Sequence, residues 1–194
     1  MIRAAKSEDQ HIVVLMIHTA IEDLVNVFTG SWEMKQALAT MAELYNTEET
    51  RFSKEHCTIA QRDGVVVGSI IAYPAKEMYR LNAGVVRVMK DKFTGTADEL
   101  DLLQRQIMAS KEAFDDEYYI DSLAVLPVYR GKGVGKELIK EVTSQAKAAG
   151  YDKVSLLADI TNESAYNVYL KLGFVQDCEM DVLGHSYRHM TKII

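Results

Sequence analysis

Apolar and polar positions repeat with two different periods along the chain, and the changes of period mark its elements. Ile2 to Ala5 reads as a short strand, and Ser7 with Gln10 three residues later has the spacing of a capping box that starts a helix. That helix carries one apolar and one wetter stripe. A second helix is expected from about Ser31 to Tyr45, with Met34, Leu38, Met41 and Tyr45 at helical spacing. Thr58 to Gln61 and Val65 to Tyr73 flank Arg62-Asp63-Gly64, and an Asp-Gly turn between β-branched runs predicts an antiparallel hairpin.

From about 76 to 117 the chain turns polar, with Gly95 as a breaker and a helical pattern through Leu100, Leu103, Ile107 and Met108. This stretch reads as a helical insertion in a single domain over residues 1–194. Tyr118 to Leu126 is an apolar strand ended by Pro127. The helix that follows places Val134, Leu138, Val142 and Ala146 on one face and stops at Gly150. Val154 to Ala158 is a further strand, and Asn162 is the expected N-cap of a helix ended by Gly173. Two closing strands, Phe174 to Met180 and Tyr187 to Ile194, turn around Gly184. A hairpin first and alternating strands and helices later predict an α/β fold: a mixed sheet of about six to seven strands with helices on both faces.

Composition narrows the function classes. A formal net charge of -6 disfavours a nucleic-acid surface, which needs clustered cations to neutralise phosphate. The longest apolar run, Ile12 to Ile17, is too short to span a bilayer, so no membrane partner and a cytoplasmic location are expected. Cys57 and Cys178 have no C-x-x-C spacing, and no His/Cys/Asp group has metal-ligand spacing in sequence. No disulfide framework and no metal are therefore expected. His185 and His189, near the closing hairpin, read as surface or packing residues.

The chemistry concentrates between the strand at Tyr118 and the next helix. Arg130, Gly131, Lys132, Gly133, Val134, Gly135 and Lys136 put three glycines at a helix start, where bare backbone N–H groups and the helix dipole favour an anion. The spacing fits neither a P-loop nor a dinucleotide fingerprint. A glycine-rich turn without ligand is the bland alternative.

Tyr118-Tyr119-Ile120-Asp121-Ser122-Leu123-Ala124-Val125, then Arg130-x-x-Gly133-x-Gly135, then Asn162-x-x-Ala165-x-x-x-Tyr169-x-x-x-Gly173-Phe174 resembles the GCN5-related N-acetyltransferase superfamily over about a third of the chain. The resemblance implies a sheet splayed at the cofactor-binding strand and acetyl-coenzyme A as acyl donor. The loop from Arg130 to Lys136 would hold the pyrophosphate. Leu123, Ala124 and Val125 would offer main-chain groups to the pantetheine arm as if to an added strand, and Asn162 would contact the cofactor.

By the same resemblance Tyr169 would protonate the departing thiolate and Asp121 would act as base toward the amine. Each has a structural alternative: Tyr169 as a rim aromatic, and Asp121 as the partner of a nearby cation. Strand alternation puts Asp121 on one face with Tyr119, Leu123 and Val125. The acceptor would be a small-molecule amine or a protein amine attacking directly, with no covalent intermediate through either cysteine. A non-catalytic acyl-coenzyme A sensor on the same fold, a different acyl donor and a homodimer stay open at this stage.

Overall fold

The computed structural model describes residues 1–194. Its strands are β1 (Ile2–Ala4), β2 (Cys57–Arg62), β3 (Val65–Pro74), β4 (Tyr118–Val125), β5 (Lys153–Asp159), β6 (Val175–Val182) and β7 (His185–Ile193). Its helices are α1 (Gln10–Ile21), α2 (Leu24–Thr29), α3 (Met34–Asn46), α4 (Met78–Lys92), α5 (Ala97–Ala109), α6 (Val134–Ala148) and α7 (Glu163–Lys171). The strands form one sheet in the order β1-β2-β3-β4-β5-β7-β6, in which only β4 and β5 run parallel. The expected mixed sheet is thus present, with seven strands.

Both faces are covered, each over its own apolar cluster. One cluster joins Val13 and Ile17 of α1, Met41 and Leu44 of α3, Leu81 and Val85 of α4, and Ile71, Tyr73 and Tyr119 of the sheet. The other packs Val134, Leu138 and Val142 of α6 on Ile70, Ile120, Val154 and Met190. No helix is long and apolar enough to cross a membrane.

Three local expectations change. The Ser7/Gln10 capping box does not form: Asp9 is gripped by Arg3 at 2.7 and 2.8 Å and accepts the Lys6 N–H at 2.8 Å, so the carboxylate governs the entry to α1. The expected second helix starts three residues later, at Met34, where the Glu33 carboxylate accepts from the N–H groups of Lys35 and Gln36. The short α2 between them was not foreseen. The polar stretch after Lys76 also holds a full helix, α4, which buries Met78, Leu81, Val85, Val88 and Met89 at helical spacing.

A fourth change concerns β4. Ile71 pairs with Ser122 and Ala72 with Ile120, leaving Asp121 as an extra residue. This bulge switches the alternation: Tyr119 packs in the first cluster, yet Leu123 and Val125 pack against the second. Asp121 keeps the face of Tyr119 but does not share that of Leu123 and Val125, which corrects the simple alternation.

Gly84, inside α4, lets the helix approach the loop after α3 closely. A Cβ there would lie 2.1 Å from the Glu49 carbonyl oxygen and 2.9 Å from its carbon. Alanine has about 1 kcal/mol better helix propensity than glycine, but overpacking against backbone costs about 1–3 kcal/mol and occasionally more. Gly84→Ala is therefore expected to lower stability in urea unfolding. A neutral or stabilised variant would show that α4 is not pressed on Glu49.

Candidate active site

β5 pairs with β4 only over Tyr118–Ile120, which face Val154–Leu156. Beyond Ile120 the two parallel strands diverge, and a cleft of about 930 Å³ opens there. Its walls bring together nearly all the residues that the sequence singled out: Asp121, Leu123, Ala124, Val125, Arg130, Gly131, Gly133, Val134, Gly135, Lys136, Asn162 and Tyr169. Lys132 stays outside the lining, with its ammonium 5.2 Å from the centre of the Tyr129 ring.

The glycine loop is shaped as its sequence requires. Gly131 and Gly133 have φ of +73° and +83°, a region that side chains disfavour, and a Cβ at either would meet nothing within 4 Å. Gly133 is the N-cap of α6 and no side chain caps that helix. The first-turn N–H groups of α6 therefore have no intrahelical partner, and Val134, Gly135 and Lys136 line the cleft together with Arg130. Asn162 caps α7 by accepting the Ala165 N–H at 3.0 Å, which gives its side chain a structural task in the fold. Tyr169 sits on the inward side of α7 with its ring 5.9 Å from Phe174. Burial pushes its hydroxyl up to about 12, and like any phenol it is protonated at neutral pH and available as a donor.

Toward the middle of β4 the cleft meets a buried ionic cluster that sequence reading missed apart from Asp121. Arg51, 1% exposed, donates from Nε to Asp121 at 2.7 Å and from both terminal nitrogens to Glu112 at 2.6 Å each. Asn82 accepts a further bond from it at 3.3 Å, and the guanidinium lies 4.7 Å over the Phe28 ring. Tyr119 donates to Glu112 at 2.8 Å and Tyr73 donates to Asp121.

One guanidinium thus faces two carboxylates, and they are not equivalent. Burial raises Asp121 above the usual carboxylate range despite Arg51. Burial also works against Glu112 ionising, but the bidentate Arg51 pair outweighs it and holds Glu112 below that range. Glu112 is the fixed anion and Asp121 the more basic oxygen. Glu22 and Asp23, at the α1–α2 corner, line the same region with Tyr187. Burial and the nearby Asp159, Glu112 and Glu22 push the Tyr187 hydroxyl up to about 12.

The only local hint of the cluster was an acid in a mostly apolar strand, which must find a cation. Its partner stands 70 residues away in a turn without a motif.

A bare helix N-terminus and a strand edge left free by the splay suit a ligand with an anionic end and an amide-bearing arm, and the far end of the cleft is acidic. The acetyltransferase (GNAT) family model matches residues 20–174, and the chain belongs to that family. It is 44% identical over 59 residues to N-alpha-acetyltransferase 30 of Xenopus laevis, a stretch covering 30% of this chain and 22% of that protein. It is 34% identical over 58 residues to N-alpha-acetyltransferase MAK3 of Arabidopsis thaliana, 30% of each. The matched stretch therefore spans less than a third of these curated relatives.

Among solved structures, an N-acetyltransferase from Staphylococcus aureus Mu50 superposes with a TM-score of 0.78 at 25% identity, covering 98% of this chain and 99% of that one. The PaiA N-acetyltransferase of Thermoplasma acidophilum, solved with coenzyme A, shares the fold at a TM-score of 0.56 and 16% identity, covering 100% and 98%.

Removing the guanidinium would strand two buried carboxylates. Arg51→Met is expected to cost about 3–5 kcal/mol at pH 7.5. In the native protein Glu112, held below its ordinary value, contributes stability that is present above the unfolded value of about 4.3 and lost as pH falls through the folded one. Asp121, held above its ordinary value, has the opposite sign. Without Arg51 both carboxylates take up protons more readily, so the deficit should narrow by pH 5 in guanidinium unfolding. A deficit equal at both pH values would mean that lost packing, not stranded charge, dominates.

Proposed function

We propose that this chain transfers the acetyl group of acetyl-coenzyme A to a primary amine by direct attack within a ternary complex. The observation that carries the reading is the free edge of β4 beyond Ile120 running straight to the uncapped start of α6, inside one cleft. A strand edge suits an amide-bearing arm and the helix start suits a pyrophosphate.

The roles follow from the environments. The N–H groups from Gly133 to Lys136, with Arg130, hold the anionic end of the donor. Main-chain groups of Leu123, Ala124 and Val125 hold the arm and polarise the acyl oxygen. Tyr169, a protonated phenol at neutral pH, donates to the departing sulfur. Asp121, the more basic member of the Arg51 cluster, accepts the amine proton directly or through water. Asn162 serves the site by fixing the start of α7, and so the aim of Tyr169.

The acceptor enters past Glu22, Asp23 and Tyr187, and this acidic rim favours an amine that arrives as a cation. The relatives' names point to α-amines of polypeptides, so peptides and small cationic amines are the two acceptor sets to test. Residues 76–117 form the helical insertion of a single acetyltransferase domain in this reading, and the two free cysteines agree with a reducing, cytoplasmic setting.

Saturating acetyl-coenzyme A, at about a hundred times its dissociation constant, should add roughly 2.7 kcal/mol to stability and raise the melting temperature by several degrees, whereas NAD should not. Thiol release should then appear with one of the acceptor sets. Binding without release for any amine would replace the enzyme by an acyl-coenzyme A sensor.

Tyr169→Phe is expected to lower kcat roughly a hundredfold with KM for acetyl-coenzyme A little changed. Asp121→Asn should lower kcat/KM and move the pH profile to higher pH, because an amine of pKa about 10.4 must then lose its proton unaided. An unaltered pH profile in Asp121→Asn would assign that carboxylate to structure alone.

A further inference from the structure

A second group of reactive side chains lies outside the cleft, on the β6–β7 hairpin. His189 of β7 is fully buried, with Nδ1 2.6 Å from Asp177 Oδ1 and Nε2 3.0 Å from Glu117 Oε2. The donor atoms of Asp177, Cys178 and His189 all lie within 4.8 Å of one another. In a regular strand Asp177 and Cys178 would face opposite sides of the sheet. Here Gln176 pairs with Met190 and Cys178 with His189, so Asp177 is an extra residue. The bulge turns two consecutive side chains toward one histidine.

The surroundings complete the arrangement. Glu117 is wholly buried and held by the Phe114 N–H at 3.0 Å. Its Oε1 has no hydrogen-bond partner, and Lys153 Nζ lies 3.7 Å away. Asp177 is 41% exposed and Cys178 half-buried, so solvent reaches the donors from outside while His189 and Glu117 form the floor.

We propose that Asp177, Cys178 and His189 bind one divalent metal ion of borderline softness, zinc being the best match, with Glu117 as the carboxylate behind the histidine. A thiolate, an imidazole and a carboxylate are the donor types zinc takes, and the open outer side leaves a fourth position for water. A metal-bound histidine ordinarily donates its remaining ring N–H to a carboxylate, and Nε2 already faces Glu117.

Binding replaces protons by the ion: the Cys178 thiol proton and the proton between Nδ1 and Asp177 go to solvent, and no electron moves. Sequence spacing predicted no such site because Asp177 and Cys178 precede His189 by more than ten residues, and only the hairpin register joins them.

The test uses the full-length, untagged protein stripped with chelator under reducing conditions and titrated with zinc or cobalt(II), without acetyl-coenzyme A. One ion per chain, protons released on binding, a thiolate-to-cobalt charge-transfer band and a melting point raised by zinc are expected. Cys178→Ser should abolish the band, and Cys178→Ser and Asp177→Asn should each weaken zinc binding by about tenfold or more. Cys178 is partly exposed, so melting of the metal-free Cys178→Ser variant should stay near that of the parent, whereas metal-free Asp177→Asn loses the charge paired with buried His189 and should melt lower. Absence of stoichiometric binding, or Cys178→Ser binding zinc and cobalt as the parent does, would overturn the proposal. None of these readouts depends on the acetyltransferase reading.

Discussion

The guanidinium of Arg51 ties together parts of the chain that no local rule would join. It reaches Asp121 on β4, Glu112 just before β4 and Asn82 on α4, and it stacks over Phe28 of α2. Such a buried pair is weak as a source of net stability, because desolvating three charges offsets most of their attraction. Its effect lies in geometry: it holds the loop after α3, the segment after α5 and the middle of β4 against one another. An apolar replacement would fill the volume without setting the distance between Asp121 and the cleft.

The bulge at Asp121 and the splay of β4 from β5 are two expressions of the same local arrangement. The extra residue turns the Asp121 carboxylate toward Arg51 and passes Leu123 and Val125 to the α6 side. β4 departs from β5 immediately before that residue, so its later main-chain groups face the cleft. The hairpin β6–β7 uses the same device at Asp177, where one extra residue gathers side chains that alternation would separate. In both strands a departure from regular pairing, not the regular sheet, places the chemistry.

Much of this was legible in the sequence where the controlling interaction is local. The Asp63-Gly64 hairpin, the glycine loop at the start of α6, the Asn162 cap and the closing strands around Gly184 rest on neighbours within a few residues. The splay was expected from family resemblance alone. The bulges, the short α2 and the replacement of the Ser7 cap by Asp9 depend on partners elsewhere: Arg3 decides the cap, and the β3 register decides the bulge at Asp121. Arg51 stayed hidden because its turn carries no pattern and all its ionic partners are distant in sequence. The apolar stripe of α4 was readable at Met78, Leu81, Val85 and Val88, but the charged residues between them masked it.

The charge layout of the cleft links fold to chemistry. Arg130, Lys136 and the first-turn N–H groups of α6 make one end electropositive, while Glu22, Asp159 and Glu112 crowd around Tyr187 at the other. The Arg51 cluster adds to the second end, since two carboxylates share one cation. On the proposed reading, a cleft polarised in this way would orient an anionic donor and a cationic acceptor from opposite sides before any contact is made. In the proposed reaction the acidic end would also favour protonated amines, which are unreactive, so attack would call for a proton acceptor close by. Asp121 stands where the two ends meet, and burial makes it the more basic carboxylate of the pair. In the proposed reaction the same excess of acid would draw in the ammonium form and supply the oxygen that accepts its proton.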